Sequence, residues 1–271
     1  MPPHLNDMFS DMGNYVRAYA DYKARGVDRA LNPSDRECRD EGNWTLQHYF
    51  EVGKDALRLI VAALVSAGRP LPKRILDFPS GSGRVTRHLR AFCPDAEIWV
   101  SDIRNDHLSF CAERFGARTK TSHEDLTAVG FDGEFDLIFC GSLLTHVTES
   151  DTQAALSLIA RSLSPTGIAL VTFHGRHSSH VQRNRWKYLD DDLFRIAEDA
   201  AARWGFGFVQ YPREERARLG TSERYGISLI KPRWLIGQLE LNPGVRILGY
   251  AERAWDDHQD VVIFGRPGID E

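Results

Sequence analysis

The sequence predicts an α/β domain built on a mostly parallel sheet with helices on both faces. Three observations carry this. Short apolar runs alternate with segments of helical period from residue 74 to residue 175, and such alternation means strand–helix–strand units with parallel strands. A glycine turn, Gly81-Ser82-Gly83, directly follows the first run and opens a helix. Two strand-like runs at 245–255 and 260–267, joined by a short turn, read as an antiparallel hairpin that closes the chain.

Residues 1–45 are polar, with a helix expected near 9–25 and then the broken stretch Asn32–Asn43. From Thr45 to Ala67 apolar residues recur at helical spacing, and Gly68, Pro70 and Pro72 end the pattern. Residues 74–79 form the first apolar run. Val85, Leu89 and Phe92 then share one face of a helix over 83–92. A strand is expected over 97–103 and a helix over 106–116, closed by Gly116. A weak strand (118–123) and a strong one (135–143) follow. A helix over 150–167 has Ser150 as its N-cap and Pro165–Gly167 as its stop, before a strand over 168–175. Residues 176–231 break this rhythm: a basic loop (176–187), a helix (190–204), and two strand-like runs (206–211, 224–230) flanking a charged turn. They read as an insertion after the fifth strand, forming a lid or substrate wall. A helix resumes over 232–241. The organisation expected is an N-terminal helical cap (1–70) and a main domain (71–271) carrying the insertion 176–231.

The chain has 271 residues, 42% of them hydrophobic, enough to bury a full core. No apolar run approaches the roughly 18–20 residues a membrane span needs. The first residues lack a charged region followed by an apolar one, so the cytoplasm is the expected location. A net charge of −4 speaks against a dedicated nucleic-acid binder. Cys38, Cys93, Cys111 and Cys140 form no CxxC pair and read as buried thiols.

The chemistry concentrates around the glycine turn. Asp77 ends the first strand; Gly81 and Gly83 follow at D-x-x-x-G-x-G spacing; Asp102 ends the second strand. Glycine lets backbone approach a ligand closely, and a carboxylate can accept hydrogen bonds from both hydroxyls of a ribose. In this order the features resemble the class I S-adenosylmethionine-dependent methyltransferases over roughly residues 74–175. The closing hairpin matches that family's antiparallel sixth and seventh strands, whereas a dehydrogenase's dinucleotide fold stays parallel.

The resemblance implies a Rossmann-like seven-stranded sheet and S-adenosyl-L-methionine as cofactor. It also implies methyl transfer, with oxygen of a small molecule or glycan as the expected acceptor; the acidic charge balance and the lack of a long apolar run leave neither nucleic acid nor membrane as an expected partner. The family's first motif, D/E-x-G-x-G-x-G, reads here Asp77-Phe78-Pro79-Ser80-Gly81-Ser82-Gly83. Pro79 replaces its first glycine, fixing φ and removing an N–H. By resemblance, Asp77, Pro79, Ser80, Gly81 and Gly83 surround the methionyl part, Asp102 holds the ribose and Ile103 borders the adenine. The third motif's acid is replaced by Ser122, followed by His123, Glu124 and Asp125, so the residue that meets the base stays open. Cys140, Gly141 and Ser142 border the transferred methyl. Pro79 and the missing acid leave an alternative: a protein of this fold that binds without turnover.

His146, past the fourth strand, and His174, ending the fifth, are candidate general bases, or else hydrogen-bonding pocket walls. His174, His177 and His180 recur at a spacing of three, but no cysteine or acid accompanies them, so no metal is expected. Tyr49, Arg176 and His258 are the candidate cap and substrate contacts. Tyr49 precedes the first strand. Arg176 opens a run with Arg183, Arg185 and Lys187 beside Trp186, which suits an anion or a solvated loop. His258 lies in the hairpin turn near Trp255.

Overall fold

The computed structural model describes residues 5–38, 45–131, 133–185 and 187–266, with side chains from residue 12 onward. Trp186 and residues 39–44 of the expected polar loop lie outside the described residues. Two helices come first, α1 (Leu5–Arg25) and α2 (Leu46–Ser66). Thr45 caps α2, its Oγ1 accepting from His48 N at 3.1 Å. The face bearing Val52, Ala56, Ile60 and Leu64 is buried in the same core as the sheet.

The central layer alternates: β1 (Arg74–Asp77), α3 (Thr86–Phe92), β2 (Glu97–Asp102), α4 (Asn105–Phe115), β3 (Arg118–Thr121), β4 (Phe135–Cys140), α5 (Glu149–Ser162) and β5 (Leu163–Phe173). The insertion supplies α6 (His177–Asn184), α7 (Asp191–Trp204), β6 (Phe206–Gln210), α8 (Arg213–Leu219) and β7 (Gly226–Ile230). Then come α9 (Pro232–Glu240), β8 (Arg246–Trp255) and β9 (Gln259–Gly265). The seven-stranded sheet runs β3-β2-β1-β4-β5-β9-β8. Its first five strands are parallel; β9 runs antiparallel to both β5 and β8. Central strands are buried on both faces, Leu76 and Ile138 on one and Ile75 and Leu137 on the other, which is why they read as continuous apolar runs. Strand order reverses between β1 and β4, and a crevice at such a switch point, beyond the carboxyl ends of the strands, is where ligands of open α/β sheets bind.

The structure corrects several expected elements. Helix α5 is capped by Thr148, not Ser150, and stops at Ser162. Residues 163–167, expected as its end, already belong to β5, because Pro165 cannot continue a helix and Leu163 pairs with Phe135. A Cβ at Gly167 would lie 2.4 Å from the Phe135 carbonyl oxygen, so only glycine allows this approach. The basic loop holds α6 and the charged turn holds α8, which closes at Gly220 in the left-handed region. Helix α8 buries none of its side chains, so it carries no apolar period to read. Strands β6 and β7 form a separate antiparallel pair packed on α7 through Phe194, Ala197, Val209 and Ile227.

Candidate active site

A cavity of about 750 Å³ lies across the carboxyl ends of the parallel strands. One end is built by the loop after β1. The Phe78–Pro79 peptide is cis. Ser80 N donates to Ser101 O (3.0 Å), Gly81 N to the Asp102 carboxylate (2.9 Å) and Gly83 N to Ser80 O (3.0 Å). The loop is thus tied to the end of β2 without needing an N–H from residue 79. Gly81 and Gly83 have φ of 52° and 77°, a region that glycine enters without steric cost. A Cβ at Gly83 would sit 2.4 Å from the Phe115 ring, whereas the space beside Gly81 is open.

Asp77 is buried and accepts from Thr86 Oγ1 at 2.6 Å. Burial pushes its carboxyl up to about 7, partly offset by the Thr86 bonds. The other oxygen of Asp102 accepts from Arg104 N at 2.9 Å. Each carboxylate oxygen therefore takes one backbone N–H and keeps acceptor capacity for a ligand. Ser82 Oγ is buried without a hydrogen-bond partner. Ile103 is 48% exposed on the cavity wall, beside Ser122, His123 and Glu124. His123 Nδ1 accepts from Asp125 N (2.9 Å), and Asp125 caps the turn through Thr127 N (3.0 Å). Ser142 adopts a left-handed φ of 59°, held by Ser142 N donating to Thr172 Oγ1 and Gln259 Nε2 donating to Ser142 Oγ, each at 2.8 Å.

The other end is walled by rings. The His146 ring stacks on Tyr225 at 4.8 Å between centroids and lies 6.1 Å from His174. His174 sits 5.0 Å from Tyr188 and 5.2 Å from His258. The Tyr188 hydroxyl bonds His258 Nε2. His146 Nδ1 lies 2.9 Å from Gly226 O. A carbonyl only accepts, so Nδ1 carries the proton and Nε2 holds the lone pair. Burial pushes the imidazoles of His146 and His174 below their ordinary value and that of His258 down to about 4, so all three are neutral near pH 7.

Among the expected site residues, Asp77, Pro79, Ser80, Gly81, Asp102, Ile103, Ser122, His123, Gly141, Ser142, His146, His174, Tyr49 and His258 all line this one cavity. Gly83 belongs to the same loop but lies outside the lining. Cys140, the last residue of β4, lies outside the lining, fully buried in the core. Arg176 is also outside the lining: its side chain is largely exposed and paired with Glu252 at 2.7 Å. Tyr49 is buried and donates to Asp35 at 3.0 Å. His177 and His180 stack on each other along α6, outside the cavity. Among the described residues no group of three or more His, Cys, Asp or Glu could hold a metal ion, and no helix is long and apolar enough to cross a membrane.

Other residues of the site carry no motif. Tyr188 and Tyr225 come from the insertion. Asp151, buried at the start of α5, accepts from Arg224 and from Thr148 Oγ1. Arg87 lies behind the loop, 1% exposed. It donates to Gly83 O, Asp28 O, Ala30 O, Ser82 O and the Tyr49 hydroxyl at 2.9–3.4 Å.

The buried neutral histidines make the fold acid-sensitive. Burial also pushes His88 down to about 4. Between pH 6.5 and about 5 the unfolded chain protonates His88 and His258 while the folded chain does not, so acid favours unfolding by about 1.6 kcal/mol for each. Asp77 acts oppositely, since its folded carboxyl holds a proton up to about 7, and it returns about 1.8 kcal/mol over the same interval. His146 and His174 add to the loss. From His88, His258 and Asp77 together, stability is expected to fall by about 1.4 kcal/mol over this interval, with His146 and His174 acting in the same direction, read from urea unfolding at the two pH values; a midpoint that rises on acidification would contradict these environments.

Both the order of the strands and the acid-lined loop fit a cationic nucleoside cofactor. The orphaned Ser82 hydroxyl, the open side of Gly81 and the remaining acceptor capacity of Asp102 are the groups such a ligand would engage. Residues 75–167 match the family model described as a methyltransferase domain. An uncharacterised protein of Synechococcus is 29% identical over 169 residues, covering 59% of this chain and 39% of the relative. The malonyl-[acyl-carrier protein] O-methyltransferase of Halorhodospira halophila is 27% identical over 173 residues, covering 59% of this chain and 58% of the relative. The matches thus span between two fifths and three fifths of those relatives' lengths. In fold, the chain is similar to the structure of an S-adenosylmethionine-dependent methyltransferase from Clostridium acetobutylicum, with a TM-score of 0.53 at 15% identity, covering 95% of this chain and 99% of that one. The chain thus carries a match to a methyltransferase domain over residues 75–167, on a seven-stranded sheet whose fold is similar to that of an S-adenosylmethionine-dependent methyltransferase.

Proposed function

We propose that this protein transfers a methyl group from S-adenosylmethionine to an oxygen of a small-molecule or glycan acceptor held beside His146 and His174. The observation that carries the reading is a single cavity with two chemically different ends: acidic and glycine-walled after β1, ringed by neutral imidazoles past β4 and β5. O-methyl transfer is also what the name of the Halorhodospira relative states.

In this reading Asp102 and Ile103 hold the nucleoside, and Asp77, Ser82 and the backbone at Gly81 hold the methionyl end. Bound S-adenosylmethionine would supply an activated methyl on cationic sulfur, with the neutral thioether as leaving group. His146 Nε2 takes the proton of the accepting hydroxyl, and the Nδ1–H bond to Gly226 O steadies the imidazolium. His174 and the Ser142–Gln259 pair shape the ground between the two ends. Holding acceptor and methyl in line supplies much of the rate acceleration.

Calorimetry with S-adenosylmethionine and S-adenosylhomocysteine tests the cofactor half. Asp102→Ala is expected to weaken binding by about 1–3 kcal/mol, the scale of a charged hydrogen bond. Asp102→Asn, which still accepts from Gly81 N, should fall between. No binding by the native protein at millimolar cofactor would overturn the reading; unchanged affinity in Asp102→Ala would remove this carboxylate from the site.

A further inference from the structure

The rings at the acceptor end do not merely surround the base. Tyr225 lies nearly parallel to His146, 21° between planes, and Tyr188 nearly parallel to His258, 15° between planes. Trp255, 2% exposed and anchored by its Nε1 on Val52 O at 3.0 Å, forms a further wall. The carboxylate, amide and guanidinium groups nearby are engaged with other protein groups. Asp151 is occupied by Arg224 and Thr148. Gln259 is occupied at both ends, by Ser142 and Thr172. Asp256 meets His48 at 3.2 Å, and Arg84 meets Glu37 at 3.2 Å. Arg36 is solvent-exposed at the rim and donates to Arg218 O at 2.9 Å.

Two acceptor classes are disfavoured by this arrangement. A carboxylate or phosphate pushed among these rings would lose its water without gaining an unengaged cation among the described lining residues. A sugar presents several vicinal hydroxyls and is held by carboxylate or amide side chains with open valences, and those here are engaged with one another. What remains is flat ring surface plus isolated hydrogen-bonding points: the His146 Nε2 lone pair, and the buried His174 Nδ1 and Thr221 Oγ1, neither of which has a partner. We infer that the acceptor end selects an uncharged aromatic ring bearing a hydroxyl, a phenol, held by the Tyr188, Tyr225 and Trp255 walls with its hydroxyl toward His146. This inference rests on the methyl-transfer reading for the direction of the hydroxyl, and on the geometry of the rings for the class of acceptor.

The test uses the full chain and three probes: 2-naphthol, 2-naphthoate and methyl α-glucoside. Each is titrated with and without saturating S-adenosylhomocysteine. Naphthol is expected to bind about tenfold or more tighter than naphthoate, since the carboxylate is desolvated without a partner, and the glucoside is expected not to bind. Tyr225→Leu should weaken naphthol about fivefold, the scale of an aromatic contact, while leaving S-adenosylhomocysteine affinity as it was. That unchanged affinity also shows the variant to be folded. Preference for naphthoate or the glucoside, or naphthol affinity unchanged in both Tyr225→Leu and Tyr188→Leu, would overturn the inference. Cofactor binding without naphthol preference sinks this inference alone; naphthol preference without cofactor binding sinks the methyl-transfer reading alone.

Discussion

Arg87→Met is expected to lower the unfolding free energy by about 3–5 kcal/mol and to weaken cofactor binding with it. The reason is what this buried guanidinium joins. It donates to Gly83 O and Ser82 O on the glycine loop, to Asp28 O and Ala30 O on the segment after α1, and to the Tyr49 hydroxyl on α2. Its face lies over the Tyr49, Phe50 and Phe115 rings at 5.2–5.3 Å. No carboxylate ion-pairs with it among the described residues; carbonyl dipoles and ring faces carry the charge instead. Methionine fills much of the volume but strands several buried carbonyls, each costing about 1–3 kcal/mol when nothing replaces the donor. Asp28, Ala30 and Tyr49 then lose their tie to the loop, so the loss reaches the cofactor end of the cavity. Urea denaturation and S-adenosylhomocysteine titration read the two effects. Arg87→Lys keeps the charge but offers three donors from a point rather than a planar fork, so it should recover less than half of the loss. Wild-type stability in Arg87→Met would show that the carbonyls find other donors.

Nothing in the sequence marked Arg87. It stands away from the core-facing side marked by Val85, Leu89 and Phe92 at the helix Thr86–Phe92, and a basic residue there reads as solvated. Its burial follows from α1 and α2 packing over that side, a long-range event without a local signature. Tyr188 and Tyr225 were invisible for a related reason: they lie in an insertion whose helices α6 and α8 bury little, so no apolar period announced where the chain turns back over the cavity. By contrast, Asp77, Gly81 and Asp102 were legible because strand, turn and helix are contiguous in sequence and the parallel sheet dictates where their ends meet. Pro79 reads differently with its surroundings in view. The loop's ties run through the N–H groups of Ser80, Gly81 and Gly83, none of which proline removes. Arg176 shows the limit of reading charge from sequence: placed next to His174, it points its guanidinium to Glu252 at the surface.

His146→Ala is expected to lower turnover of a hydroxyl acceptor by about 10²–10⁴-fold, the usual contribution of a positioned base, and to leave S-adenosylhomocysteine affinity unchanged. The pH profile separates a proton acceptor from a mere wall. Burial holds the His146 imidazole below its ordinary value of 6.5, so the free base persists as the pH drops through 6.5. The acid limb of the wild-type profile should therefore lie below pH 6.5, with activity lost only when Nε2 is protonated. In His146→Ala that limb should disappear along with most of the rate. His146→Gln supplies an amide that can donate to Gly226 O but accepts no proton, so it should restore the packing against Tyr225 without restoring turnover. A His146→Gln enzyme with native turnover would mean that the ring only shapes the pocket. His174→Ala provides the contrast: its imidazole is buried further and held lower than an ordinary histidine, between Tyr188 and His258. Its removal should raise the acceptor KM more than it lowers kcat, because the ring's contribution is made equally to the bound acceptor and to the transition state. A native acid limb in His146→Ala that vanishes in His174→Ala would exchange the two roles.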